Sequence, residues 1–205
     1  MSEVKGRDGG WDNSGVPAGL IALAVAVFMF GAMFMGWTSA PGCLPIMGFW
    51  LLGAFAVQFT VAIIELKSGS FNAGNVFLFF SAFFCLTTGL ELIFKYLVIV
   101  FQWIPVDGRV DGWSWIAMGI ALIPITFCYL KTAPFTMNLM VLGLDFAVIF
   151  IIGIDMKWMS VADYGVFAGA GAFWAGFWAL WTISGMFLNR NFGRVIIPIG
   201  GPMIK

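Results

Sequence analysis

Asp145 stands inside an apolar run, Gly143-Leu144-Asp145-Phe146, and Glu91 stands four residues before Lys95 in another. If such runs cross a bilayer, an ionised group near the middle of one costs about 2.5–3.5 kcal/mol unless it is paired or faces water. Each is therefore a candidate for function. For Glu91 the spacing to Lys95 fits an i,i+4 ion pair on one helix face near the membrane interface. For Asp145 three roles fit: proton handling, lining of a pore, or a hydrogen bond to a neighbouring helix. Gln58, Asn72 and Asn75 form a second set, because amides are harder to hide in lipid than hydroxyls. Asn72 and Asn75 also open a helix, where free backbone N–H groups favour an anion or need a cap. Glu65 ends its run beside Lys67 and is expected in the cytoplasmic interface.

These residues need helices to hold them. The chain has 205 residues, 61% hydrophobic and 10% charged, with a mean hydropathy of +1.00. A soluble domain keeps about a quarter of its residues charged, so lipid is the solvent for most of this chain. Crossing the hydrocarbon takes about 20 apolar residues, and six runs qualify: Pro17–Trp37, Leu44–Leu66, Ala73–Phe94, Trp113–Leu130, Phe135–Ile154 and Val161–Leu188. Turn residues or charges separate them. Barrel strands are about half this length and alternate, so the expectation is an all-α membrane protein of six transmembrane helices. Residues 1–16 and 189–205 form tails, and 17–188 the transmembrane domain.

Six spans put both termini on one side. Lys5, Arg7, Lys67, Lys131, Arg190, Arg194 and Lys205 fall on that side, against Lys95, Arg109 and Lys157 on the other. The excess of basic residues places both termini in the cytoplasm. The first sixteen residues are polar and mixed in charge, unlike a signal peptide. A net charge of zero gives no sign of a nucleic-acid partner.

The chain contains no histidine, and Cys43, Cys85 and Cys128 are scattered, without the clustered spacing of a zinc site or disulfide framework. No nucleophile–base pair, metal-ligand set or phosphate-binding loop is present. No catalytic residue, metal site or cofactor is assigned. No Lys or Arg occupies the centre of a span, so a bare anion meets no fixed counter-charge there. That favours a small weak acid or a small neutral solute over a polyanion. In the sixth run, Gly165/Gly169 and Ala172/Gly176 repeat at four-residue spacing, the pattern that lets helix backbones approach closely.

Three segments are similar to one family, the acetate uptake transporters (the succinate–acetate permease group). The run from Leu188 to Gly200, Leu-Asn-Arg-Asn-Phe-Gly-Arg-Val-Ile-Ile-Pro-Ile-Gly, resembles that family's LNxxFGRxxLPIG ending. Gln58 followed by Glu65-Leu66-Lys67-Ser68-Gly69-Ser70 resembles its Q…E-x-K-x-G-N segment. Val16-Pro17-Ala18-Gly19-Leu20 resembles its N-P-A-P-L-G-L opening, with Ser14-Gly15 in place of the Asn-Pro. The resemblance implies a ring-shaped homohexamer with one pore per protomer. It also implies a pore constriction at the positions of Leu23, Phe80 and Leu144, with Phe80 standing where the family has Tyr. Met186 stands where a related sequence has Glu.

The function expected is a channel or proton-coupled transporter in the cytoplasmic membrane for acetate and related short monocarboxylates. Gln58, Asn72, Asn75 and Asp145 would line the path. Rival expectations are a channel for urea, short amides or ammonia, and a membrane sensor that transports nothing. Urea-driven swelling separates the first rival. A sensor needs a larger cytoplasmic surface than these tails offer.

Overall fold

The computed structural model describes residues 15–204. Six helices account for most of them: α1 (Val16–Phe34), α2 (Leu44–Lys67), α3 (Phe71–Phe101), α4 (Arg109–Thr132), α5 (Phe135–Asp155) and α6 (Val161–Phe192). All six are long and apolar enough to cross a membrane, and no strand occurs among the described residues. The Ser14 and tail charges invoked from the sequence, Lys5 and Arg7 at one end and Lys205 at the other, lie outside the described residues.

The helices outrun the apolar segments read from the sequence. α3 continues past Phe94 to Phe101, α4 begins at Arg109 rather than Trp113, and α6 reaches Phe192 rather than Leu188. Hydropathy marks where lipid ends, whereas backbone hydrogen bonding carries a helix on into the polar interface. Pro in the first turn opens α1 and α2, where a missing N–H costs nothing. Ser160 Oγ caps α6 by accepting from Asp163 N at 3.1 Å. Gly193, with φ of +64°, ends α6 in the left-handed conformation that glycine adopts without strain.

The six helices form a ring in the order α3–α2–α1–α6–α5–α4, and the seam between α4 and α3 is the least packed. Small residues set the close seams. A methyl at Gly165 or Gly169 would meet α1 backbone, Phe34 O at 2.6 Å and Gly31 O at 3.0 Å. Gly171 points the other way, with Gly143 O of α5 2.9 Å from the position of a methyl. The glycine pattern of α6 thus serves two neighbours at once. Gly48 of α2 lies equally close to Gly89 O of α3, 2.6 Å from its would-be methyl. With little hydrophobic drive between helices in lipid, such contact is what holds them together.

α3 departs from regular α geometry between Phe80 and Thr87, where it is π-helical. Thr87 Oγ1 and Thr88 Oγ1 donate to the carbonyls five residues back, Ala82 O at 2.9 Å and Phe83 O at 3.0 Å, in step with the π register. Single π turns inside α-helices often mark functional positions.

Beyond Gly193 the chain folds back onto the ends of α4, α5 and α6. Asn189 Oδ1 accepts from Ile196 N at 2.6 Å and Ile197 N at 3.0 Å, and its Nδ2 donates to Ile197 O at 2.7 Å. Trp181 Nε1 donates to Pro198 O, Thr136 N to Ile199 O, and Met203 N and Ile204 N both to Leu130 O. The Asn and Gly of the terminal motif therefore have structural work: one brackets the return, the other permits the turn.

Glu65, expected in the interface, is buried instead at 1% exposure. Its Oε1 accepts from Gly15 N, the N-cap of α1, at 3.0 Å. A helix N-terminus has free N–H groups and a partial positive charge, which is why a carboxylate ending one helix docks at the start of another.

Candidate functional site

Two cavities lie end to end along the middle of the ring. The wider, about 120 Å³, opens toward the end of the bundle opposite the termini. Its walls come from α1 (Val27, Phe30), α3 (Phe80, Phe84), α4 (Trp115, Leu122) and α5 (Leu144, Ala147). Phe84 sits at the hub of an aromatic wall, with ring centroids 5.4 Å from Phe30, 5.8 Å from Phe80 and 6.1 Å from Trp115. The narrower cavity, about 20 Å³, runs toward the termini between Leu20, Leu23, Gln58, Phe77, Tyr129 and Met140. By volume it holds about one or two waters.

Phe80, Leu122 and Leu144 line both cavities. They come from three helices and are 7%, 3% and partly exposed. The junction between the two cavities is therefore lined by apolar side chains. Leu23 lines the narrow cavity just beyond that junction and is 4% exposed. Phe80 and Leu144 of the expected set thus meet at the junction, Leu23 sits beside it, and Leu122 is the member that sequence reading missed. Nothing in Ala121-Leu122-Ile123 sets that leucine apart from its neighbours.

Gln58 is 1% exposed, and with Tyr129 it supplies the polar side chains of the narrow cavity. Its Nε2 donates to Gly19 O at 3.4 Å, and Cys85 Sγ donates to its Oε1 at 3.6 Å. Both contacts are long, so the amide keeps capacity for another partner. The other expected polar residues lie elsewhere. Asn75 is exposed and donates to Phe71 O one turn back at 2.8 Å; Asn72 is half-buried, and neither lines these two cavities. Asp145 also lines neither: its Oδ2 accepts from Thr126 Oγ1 of α4 at 2.7 Å. Successive residues of a helix point about 100° apart, so Leu144 toward the cavity turns Asp145 to the α4 seam. Of the three roles open to Asp145, the geometry supplies the bond between helices. The aromatics Trp174, Phe177 and Trp181 of α6 are substantially exposed and line neither cavity.

The charged residues gather at the mouth of the wide cavity. Lys95 Nζ pairs with Glu91 Oε1, as the spacing predicted, and also with Asp111 Oδ2 of α4 at 2.8 Å. Asp155, the last residue of α5, lines the same mouth. The open seam between α3 and α4 forms a further cleft of about 400 Å³ that shares Thr88, Glu91, Asp111 and Trp115 with this mouth. Outside the spans, Asp107 is gripped by the Arg109 guanidinium, with Nη2 at 2.6 Å from Oδ2, which holds its carboxyl well below the usual range.

No protein-family model matches the chain, and no curated protein matches it in sequence. Among solved structures it is similar to the bacterial acetate channel SatP, with a TM-score of 0.71 and 18% identity over 91% of this chain and 98% of that one. At that identity the likeness is one of fold. The chain has the all-helical architecture of that channel, with six helices able to span a membrane.

Proposed function

We propose that this multi-pass membrane protein conducts acetate and related short-chain monocarboxylates across the cytoplasmic membrane. It does so as a channel or proton-coupled transporter of the acetate uptake transporter family, without catalysis. The observation that carries this is the pair of cavities meeting at Phe80, Leu122 and Leu144, inside a bundle with the fold of an acetate channel.

The solute enters the wide cavity still hydrated and loses water at the apolar ring. There a small acid passes and a bulky or strongly hydrated species stalls. Past the ring, Gln58 and Tyr129 supply hydrogen-bonding groups in a space too small for a hydration shell. Leu23, Phe80 and Leu144 act as the constriction together with Leu122. Asn72, Asn75 and Asp145, expected along the path, line neither of these two cavities. The excess of basic residues on the terminal side supports cytoplasmic termini, with the wide mouth outside. The resemblance of the three sequence segments supports a homohexamer with one conduit per protomer.

Labelled acetate offered to proteoliposomes tests the proposal. Uptake well above that of protein-free liposomes, without urea-driven swelling, is the expected result. Acetate uptake at the protein-free rate, while urea or ammonia passes, would transfer the assignment to a neutral-solute channel.

A further inference from the structure

α2 holds the start of α1 at two heights. Gln58 Nε2 donates to Gly19 O at 3.4 Å, and two turns further along α2 Glu65 Oε1 accepts from Gly15 N at 3.0 Å. Gln58, Val61 and Glu65 share one face of α2 at i, i+3 and i+7, and all three are buried. Val61 packs so close that it stands 3.1 Å from where a methyl on Gly15 would lie. The part of α1 gripped in this way walls the narrow cavity. Leu20 and Leu23 line it, and Phe77, another lining residue, packs on Gly19. The Glu65 carboxyl also lies within electrostatic range of Tyr129, which lines the same cavity near the terminal end of α4. That cavity is shut: Leu20, Tyr129 and Met140 are at most 4% exposed.

We propose that Glu65 is a positioning residue, whose bond to Gly15 N latches the first turn of α1 onto α2 and keeps the narrow cavity closed toward the chain termini. Release of that bond frees the turn and opens the cavity on this side. The inference rests on the conduction proposed above and names where the conduit closes. Three observations carry it. The bond to Gly15 is short, whereas the one to Gly19 is long, so the grip is firmest at the tip of α1. The residue gripped is a glycine, whose backbone swings more freely than any other once released, as the hinge of a moving segment must. The wide cavity already opens to the opposite end of the bundle, so a conduit with one open end is closed at the other. The latch needs only an acceptor oxygen within reach of Gly15 N and holds whether or not the carboxyl is ionised. Gly15 also stands where the family resembled by this segment has proline, which has no N–H to donate. The bond is therefore this chain's own device.

Sided labelling of a thiol inside the narrow cavity tests the latch. Met140→Cys places that thiol in the lining, in a chain whose Cys43, Cys85 and Cys128 are replaced by serine. A charged, membrane-impermeant methanethiosulfonate is applied to membrane vesicles of the two opposite orientations. With Glu65 in place, labelling from the side of the termini is expected to be slow. E65A removes the acceptor, and E65D keeps a carboxyl but is one methylene too short to reach Gly15 N. Each should raise that rate about tenfold, the shift that about 1.4 kcal/mol brings, and leave the rate from the opposite side unchanged within about twofold. E65Q keeps an oxygen at the same reach and should stay within about twofold of Glu65. Equal rates in all four proteins overturn the latch, as does E65Q labelled as fast as E65A. A rise from both sides in E65A and E65D shows a loosened fold in place of a gate and overturns it too. These rates are read without any solute, so acetate uptake at the protein-free rate would overturn the conduction reading separately from the latch.

Discussion

Gln58→Met removes the amide from the narrow cavity while keeping nearly the same side-chain length. Gly19 O, which accepts the long 3.4 Å bond from Gln58, lies within α1 and keeps its helical partner, so truncating the amide leaves no orphaned backbone group. The loss falls on the solute. In a space of about 20 Å³ a carboxylic acid cannot bring its own water, and its polar atoms have Gln58 and Tyr129 to bond. Leaving one such group unmet costs about 1–3 kcal/mol. Taking about 2 kcal/mol as the central value, acetate flux should fall roughly thirtyfold. Stopped-flow acidification inside dye-loaded proteoliposomes measures this, after subtraction of the protein-free rate. Gln58→Asn, which keeps an amide on a shorter stem, should recover part of the loss. A Gln58→Met rate within twofold of wild type would refute the claim that the amide faces the solute.

Three further outcomes follow from the same geometry. Leu122→Ala shortens one of the three side chains shared by both cavities, so butyrate flux relative to acetate should rise at least several-fold; an unchanged ratio would remove Leu122 from the bottleneck. Asp145→Asn should leave the pH profile of acetate flux in place, because the side chain is bonded to Thr126 away from the cavities. It should lower stability by only about 0.6 kcal/mol, the typical worth of an interhelical bond in a membrane, and a displaced pH profile would put the carboxyl back on the path. Asn189→Ala deletes three hydrogen bonds that bracket residues 196 and 197. Limited proteolysis should then cut between Gly193 and Ile204 several times faster, and equal cutting rates would mean that the return is held without Asn189.

How much of the site could be read without coordinates depends on the kind of residue. The Glu91–Lys95 pair was legible because helix geometry alone brings residues four apart together. The Phe80 and Leu144 positions were legible only through resemblance, since each is one apolar residue among many. Leu122 was illegible for that same reason. Asn72 and Asn75 misled because a helix start that suits an anion also suits a cap, and Asn75 spends its amide on Phe71 O. Glu65 misled because closeness to Lys67 along the chain said nothing about the start of α1, where its carboxylate finds Gly15 N.

Composition and run length by themselves determined that the protein is all-helical, that six segments can cross a membrane, and where the turns fall. Each of these follows from local backbone satisfaction in a solvent that offers no hydrogen bonds. Which face of each helix looks inward was decided only in the tertiary structure. Lipid and protein interior are equally apolar, so a membrane helix carries little periodic signal to orient it. The meeting of Asp111 with Lys95, the convergence of Phe80, Leu122 and Leu144 where the two cavities join, and the turning away of Asp145 all arise from packing between helices.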